Sequence, residues 1–330
     1  MKVLITGESG FIARNLCNTF EAAGHEVVCI DDANVLKLQK TGEMCVHRNT
    51  PSVWAWHLKN LKVDVVIHNA AVVGTDVVAL NSVEATLTNV TGCYNLAMAT
   101  KEAGIPICYM GTTVIYDTAK YQNKKITETS QIRPMTFYGS QKLAGEHIIT
   151  SHSKDWMVIR PLFAYGGEGD MNSLIAKTIY AHVRKQGSID MFLDPTKIKD
   201  YLHVRDFCEA VMIGCESGLW GNDYNIAAET PHVTLEIVDM MSEIVSSLIT
   251  KNVKWKPETD YLGNHMLSSE KFREITDWSP KISLRQGIKM VHSSILRCSE
   301  DYDPLTHLKH AEAQGIDLTN FYNSNIKRCK

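Results

Sequence analysis

The sequence lacks a C-x-x-C pair, any metal-type cysteine spacing, an internal repeat, a low-complexity tract and an apolar segment of transmembrane length. Its nine cysteines are odd in number and scattered from Cys17 to Cys329. That pattern excludes a small disulfide scaffold and points to reduced thiols, mostly packing, in a cytosolic protein. A formal net charge of −3 gives no broad electrostatic reason to bind nucleic acid or an anionic membrane. The first residues read as a strand, with no basic or long apolar lead, so no signal peptide or membrane span is expected and the location expected is cytoplasmic. What is there is ordinary globular composition, 44% hydrophobic and 22% charged, over 330 residues, enough for a large core and about two domains.

The chain is organised around Thr6-Gly7-Glu8-Ser9-Gly10-Phe11-Ile12-Ala13, which follows the apolar run Val3-Leu4-Ile5 and opens a helical segment reaching Ala23. A strand that ends in glycines and opens a helix offers its first backbone N–H groups, including those of Phe11 and Ile12, and its positive dipole end to an anion. Gly7 suits the tight turn and Gly10 the close approach of a pyrophosphate, with Ala13 where a third glycine is commoner. A second strand, Glu26 to Ile30, ends at Asp31-Asp32, about the spacing expected for an acid that grips an adenine ribose. An Asp there would repel a 2′-phosphate, which favours NAD over NADP.

Downstream, Val63 to His68 reads as a buried strand ending in Asn69-Ala70-Ala71, and residues 82 to 103 read as a helix stopped by Gly104-Ile105-Pro106. A strand at Ile107 to Met110 ends in Gly111-Thr112-Thr113. A polar loop then leads to a helix over 138 to 151 and a strand at Trp156 to Arg160. Strands alternating with helices predict a parallel sheet covered on both faces, with Gly7, Asp31, Ala70 and Thr112 all at the carboxyl ends of strands. The expected fold is therefore α/β, a Rossmann-type doubly wound parallel sheet with a smaller C-terminal α/β substrate domain. The cofactor domain is expected over 1–165, with 198–222 packing back on it, the substrate domain over 166–298, and a peripheral tail over 299–330.

Tyr138-Gly139-Ser140-Gln141-Lys142 puts a phenol and an ammonium four residues apart on one helix face. A phenol near its reference pKa of about 10 needs a shift of roughly three units to act as a base at neutral pH. One ammonium about 4 Å away supplies roughly that at an effective dielectric near 20. His68 and His203 lie in strand-like runs and read as core histidines, and the acids of Gly167-Glu168-Gly169-Asp170 as loop charges rather than metal ligands.

These segments, together with Thr88-Asn89-Val90-Thr91-Gly92, Arg160-Pro161 with Tyr165-Gly166, Lys199-Asp200-Tyr201-Leu202-His203-Val204-Arg205-Asp206 and Tyr224-Asn225-Ile226, resemble the extended short-chain dehydrogenase/reductases of the nucleotide-sugar epimerase/dehydratase family. The resemblance covers residues 1 to about 298. It implies that Tyr138 takes a proton from a sugar hydroxyl while the carbon beneath gives a hydride to NAD. Lys142 would hold the nicotinamide ribose, and Thr112 would bond the oxygen as it becomes a carbonyl. It also implies cofactor contacts at Gly7, Gly10, Phe11, Ile12, Asp31, Asp32, Ala70, Ala71 and Asn89, and a homodimer built on the helices over 82–103 and 138–151.

Family members that dehydrate sugars carry an Asp-Glu pair after the catalytic Thr, where this chain has Thr113-Val114. The remaining Thr/Tyr/Lys set fits a 4-epimerase or a keto-sugar reductase or dehydrogenase; a non-enzymatic NAD sensor is the reading from another class. On the substrate side Phe163 replaces a common Asn, Lys199 replaces a common Arg, and Lys256 to Asp260 stands where a second Arg often binds phosphate. Thr113, Asn172, Ser173 and Phe192 complete the expected substrate contacts. No metal is expected.

Overall fold

The computed structural model describes residues 1–30 and 51–297, apart from positions 168, 171–172, 185–187, 247–248, 250–252, 258–259 and 261. Asp31, Asp32, Glu168, Asn172 and the 299–330 tail therefore lie outside the described residues.

Six strands form one parallel sheet: β1 (Lys2–Thr6), β2 (Glu26–Ile30), β3 (Val65–His68), β4 (Ile107–Met110), β5 (Trp156–Pro161) and β6 (Asn222–Ile226). Their order across the sheet is β6-β5-β4-β3-β1-β2, and every neighbouring pair runs parallel. All residues of β3 and β4 are buried, as expected for central strands covered on both faces.

Alternation along the strands divides the core. On one face Val3 and Ile5 meet Leu16 and Phe20 of α1 (Phe11–Ala22) and Phe207 and Val211 of a later helix, Val204–Glu216. On the other, Leu4 and Val66 meet Trp54 of α2 (Pro51–Leu61), Leu96 of α3 (Gly92–Ala103) and Ile149 of α4 (Phe137–His152). Each such fully buried large side chain contributes about 1.5–3 kcal/mol. The expected helix over 82–103 contains a π-helical turn, Leu87–Thr91, between Ser82–Thr86 and α3.

A second core lies beyond β5. It brings Tyr165 together with Ile179 of α5 (Leu174–Val183), Ile237 and Met241 of α7 (Thr234–Ile244) and Ile288 of α8 (Leu284–Arg297); α6 is the helix Val204–Glu216 that packs against α1. Short ladders tie this part together: Ala164–Tyr165 with Leu202–His203, Ile189–Met191 with Val253–Trp255, and Ile198–Lys199 with His232–Val233. Among the described residues no helix is long and apolar enough to cross a membrane, and no three His, Cys, Asp or Glu side chains gather as metal ligands.

Candidate active site

The strand order places β1 between β2, its successor through α1, and β3. The chain thus turns in opposite directions on either side of β1, and the crevice above such a switch point is where open α/β sheets bind ligands. Gly7 and Ala70 face each other across it. Gly7 has φ +83°, and a Cβ there would lie 2.8 Å from the Ala70 Cα and 3.0 Å from its N. Thr6 Oγ1 accepts from the N–H groups of Asn69 (3.2 Å) and Ala70 (3.0 Å), which pins the second lip to the end of β1.

Gly10 is the N-cap of α1 and brings no side chain to the first-turn N–H groups, and no acid stands in that turn. A Cβ on Gly10 would meet the Gly7 carbonyl at 3.0 Å. A left-handed glycine, a second glycine closed against it and a helix start without a cap or an acid fit a dinucleotide pyrophosphate. Gly7, Gly10, Phe11, Ile12, Ala70 and Ala71 thus stand together at the switch point. Gly7→Ala would force a left-handed alanine onto backbone atoms. It is expected to weaken dinucleotide binding more than tenfold and to lower stability by roughly 2 kcal/mol, checked by calorimetric titration and urea unfolding.

Thr112 leaves β4 in extended conformation (φ −157°) and caps a 3₁₀ turn, Thr113–Ile115, its Oγ1 accepting from Val114 N at 3.4 Å. Thr136 caps α4 by accepting from Gly139 N at 3.0 Å. Gly139 has no side chain because one would sit 2.9 Å from the Val114 carbonyl. That close approach brings the helix start that carries Tyr138 against the turn that carries Thr112. Deeper in α4, Glu146 accepts from Arg160 of β5 through Nε (3.1 and 3.2 Å) and Nη2 (2.8 Å), both side chains buried. Arg160 also reaches Tyr116 Oη (2.7 Å) and Asp223 of β6 (2.6 Å), so a buried charge network fixes the helix to the sheet.

Lys142 is 3% exposed, and its Nζ stands 4.1 Å from the centre of the Tyr109 ring. Burial lowers its pKa to about 8, against the pull of Cys93 and Glu146. His68, held near 3 by burial and then by Lys142, is neutral. Its Nδ1 lies 2.9 Å from Thr6 Oγ1 and its Nε2 3.3 Å from Cys93 Sγ. Thr6 Oγ1 already accepts twice and Cys93 donates to the Asn89 carbonyl (2.9 Å). The consistent arrangement therefore has Thr6 donating to Nδ1 and Nε2–H donating to sulfur. His68 is the satisfied core histidine expected. His203 is buried and caps α6 by accepting from Arg205 N, but its Nε2 has no partner among the described residues.

Several side chains are committed differently from the expectation. Asn89, set inward by the π turn and 1% exposed, accepts from Val72 N (2.8 Å) and donates to Val72 O (2.9 Å) and Gln141 Oε1 (2.9 Å). It clasps the loop after Ala71 to α4 rather than presenting itself to a cofactor. Lys199 is fully buried, donating to Asp260 Oδ1 (2.9 Å) and the Gly263 carbonyl (2.6 Å), so its ammonium is taken up inside the protein rather than turned to a phosphate. Ser173 caps α5, accepting from Ala176 N (3.1 Å) and donating to Asp170 (2.6 Å). Thr113 is buried and Phe192 is 52% exposed. Phe163 holds φ +34°, a conformation that Asn tolerates better than Phe, and packs on Tyr201 and His265 with ring centres 5.5 Å away in each case.

A model of the NAD dependent epimerase/dehydratase family matches residues 3–227. The chain belongs to this family. Its members are NAD-dependent enzymes, and the glycine turn described above is where this member's residues would hold the cofactor. Among curated relatives, human dTDP-D-glucose 4,6-dehydratase is 24% identical over 319 residues, covering 87% of this chain and 88% of the relative. GDP-6-deoxy-D-talose 4-dehydrogenase of Aggregatibacter actinomycetemcomitans is 26% identical over 257 residues, 74% of this chain and 80% of the relative. Many solved structures share the fold, among them two with NAD bound. A dTDP-glucose 4,6-dehydratase from Bacillus anthracis in complex with NAD has a TM-score of 0.79 at 21% identity, covering 92% of this chain and 99% of that one. A UDP-glucuronic acid 4-epimerase from Bacillus cereus with UDP-glucuronic acid and NAD has a TM-score of 0.77 at 19% identity, covering 90% and 99%.

Proposed function

We propose that this protein is an NAD-dependent nucleotide-sugar 4-epimerase that works through a transient 4-keto sugar. The observation that carries the reading is the turn after Thr112. Thr113 and Val114 offer no acid or base there. Of the acids that follow, Asp117 pairs through Oδ2 with Arg133 at 3.7 Å, and Glu128 accepts from Asn225 N at 2.8 Å. Eliminating water needs a further proton donor and acceptor beside the sugar; inverting one carbon needs only a base, a hydrogen-bond donor and a hydride store.

In this reading Tyr138 removes the proton from the 4-hydroxyl and Thr112 donates to the same oxygen as it gains carbonyl character. NAD supplies the reversible hydride acceptor. Lys142 would hold the cofactor's ribose and favour the ionised Tyr138, and Tyr138 would give its proton back to the 4-oxygen of the inverted sugar. The test is NMR of the protein, without added cofactor, with a panel of UDP-, dTDP- and GDP-sugars. The expected result is growth of a C4 epimer without accumulation of NADH. A keto sugar formed only with added NAD, with NADH in equal amount, would instead fit a 4-dehydrogenase like the talose relative.

We further propose a homodimer formed through the helices over 82–103 and 137–152, in the cytoplasm, the compartment that scattered cysteines without a disulfide framework fit. Val83 (74% exposed), Tyr94 (42%) and Phe137 (48%) stand on these helices, beside a cavity of about 290 Å³ lined by Ser82, Val83, Thr86, Leu87 and Phe137. A second copy would cover them. Val83→Glu is expected to shift the protein from dimer to monomer in sedimentation velocity at micromolar concentration; a wild type that already sediments as a monomer would refute the dimer.

A further inference from the structure

Cys17 and Cys29 belong to no sequence motif, yet the fold brings them together. Cys17 lies on α1 and Cys29 on β2, and their sulfurs are 2.9 Å apart. Both are half-buried, whereas the other described cysteines, Cys93, Cys108, Cys208 and Cys215, are buried. A disulfide needs a sulfur separation of about 2.05 Å, so less than about 1 Å of closure is required. The Cys29 hydrogen bond holds the Cys17 thiol below its ordinary range, against burial and the nearby charges of Glu8 and Glu21. The same bond, then burial, pushes Cys29 well up. The two thiols are thus unequal, one prepared to attack and one held in reserve.

We infer that Cys17 and Cys29 form a reversible redox modification site, a dithiol that reacts with a small disulfide of the glutathione class and closes into an intramolecular disulfide. The Cys17 thiolate attacks one sulfur of the reagent; the reagent's S–S bond breaks, one half leaves as a thiolate and a mixed disulfide forms. That step removes the hydrogen bond that held Cys29 protonated. Cys29 then gives up its proton and displaces the second half of the reagent from Cys17. Two electrons and two protons pass to the reagent, which leaves as two thiols. The bond joins the helix that opens on the pyrophosphate seat to the strand that leads to Asp31.

Cys108 and Cys215 provide an internal comparison. They are also hydrogen-bonded to each other, but at 0% and 4% exposure a dissolved disulfide does not reach them.

The experiment treats the full-length protein with oxidised glutathione, blocks remaining thiols by alkylation and maps them by mass spectrometry. Cys17 and Cys29 fall on one tryptic peptide, residues 15–37, and Cys45 on another. The expected product is peptide 15–37 lighter by two hydrogens and unalkylated, restored by dithiothreitol, with Tm raised by roughly 5 °C. Cys29→Ser is expected to stop at a stable glutathione adduct on Cys17. The inference is overturned if peptide 15–37 remains doubly alkylated, if wild type stops at a glutathione adduct, or if Cys29 links to Cys45 instead.

Discussion

Tyr138→Phe is expected to lower turnover about 10³-fold while NAD binding stays within about twofold of wild type. The substitution removes only the phenolic oxygen. The ring at the second helical position of α4 remains, as do the Thr136 cap and the Gly139 contact on the Val114 carbonyl that set its place. Gly7 and Gly10, the proposed pyrophosphate seat, follow β1, whereas Tyr138 stands beside the turn after β4, so cofactor affinity has no reason to fall. Steady-state turnover and calorimetric NAD titration on one preparation check both halves. Retained turnover would remove Tyr138 from its role, and lost binding would mean the helix had moved.

Lys142→Met is expected to lower activity by about 10²–10³-fold and at the same time to make the cofactor-free protein more stable by roughly 1–3 kcal/mol. Lys142 carries its charge into a site where it is 3% exposed, and burial has brought its pKa from 10.5 to about 8. The Tyr109 ring face offsets part of the penalty. A methionine of similar length fills the space without a charge. The pH dependence follows from the sign of the shift. Between about pH 8 and 10.5 the unfolded chain holds a proton that the folded chain has released, so wild-type stability rises relative to the variant as pH rises, and the gap narrows. Below pH 8 both states are protonated and the gap is full. Thermal unfolding of both proteins from pH 6.5 to 9.5 reads this directly; a variant less stable than wild type at neutral pH would contradict it.

The backbone of the site was legible in the sequence because backbone demands restrict residue choice. A left-handed turn against Ala70 calls for Gly7, and a helix start facing an anion calls for a residue such as Gly10. Strands covered on both faces were legible as apolar runs, since Val3, Leu4 and Ile5 all go into one or the other of two cores. What could not be read were the partners of side chains that meet across long separations. Lys199 looks like a clamp until Asp260, 61 residues away, is seen to hold it. Asn89 carries no mark that its amide closes on Val72, because a π turn, which periodicity does not reveal, sets it inward. Cys17 and Cys29 look like two scattered thiols because nothing local registers that α1 folds back over β2. Phe163 was visible as a departure, but its φ of +34° and its place against Tyr201 and His265 come only from the packing of the second core.

We propose that the crevice at Gly7 and Gly10 holds NAD as a resident hydride store rather than as a passing substrate. This is tested by purifying the full-length protein without added cofactor, denaturing it and identifying the released dinucleotide by mass spectrometry. The expected result is NAD or NADH at close to one per chain. An empty protein that then binds NAD weakly, or one that releases NADP, would contradict it.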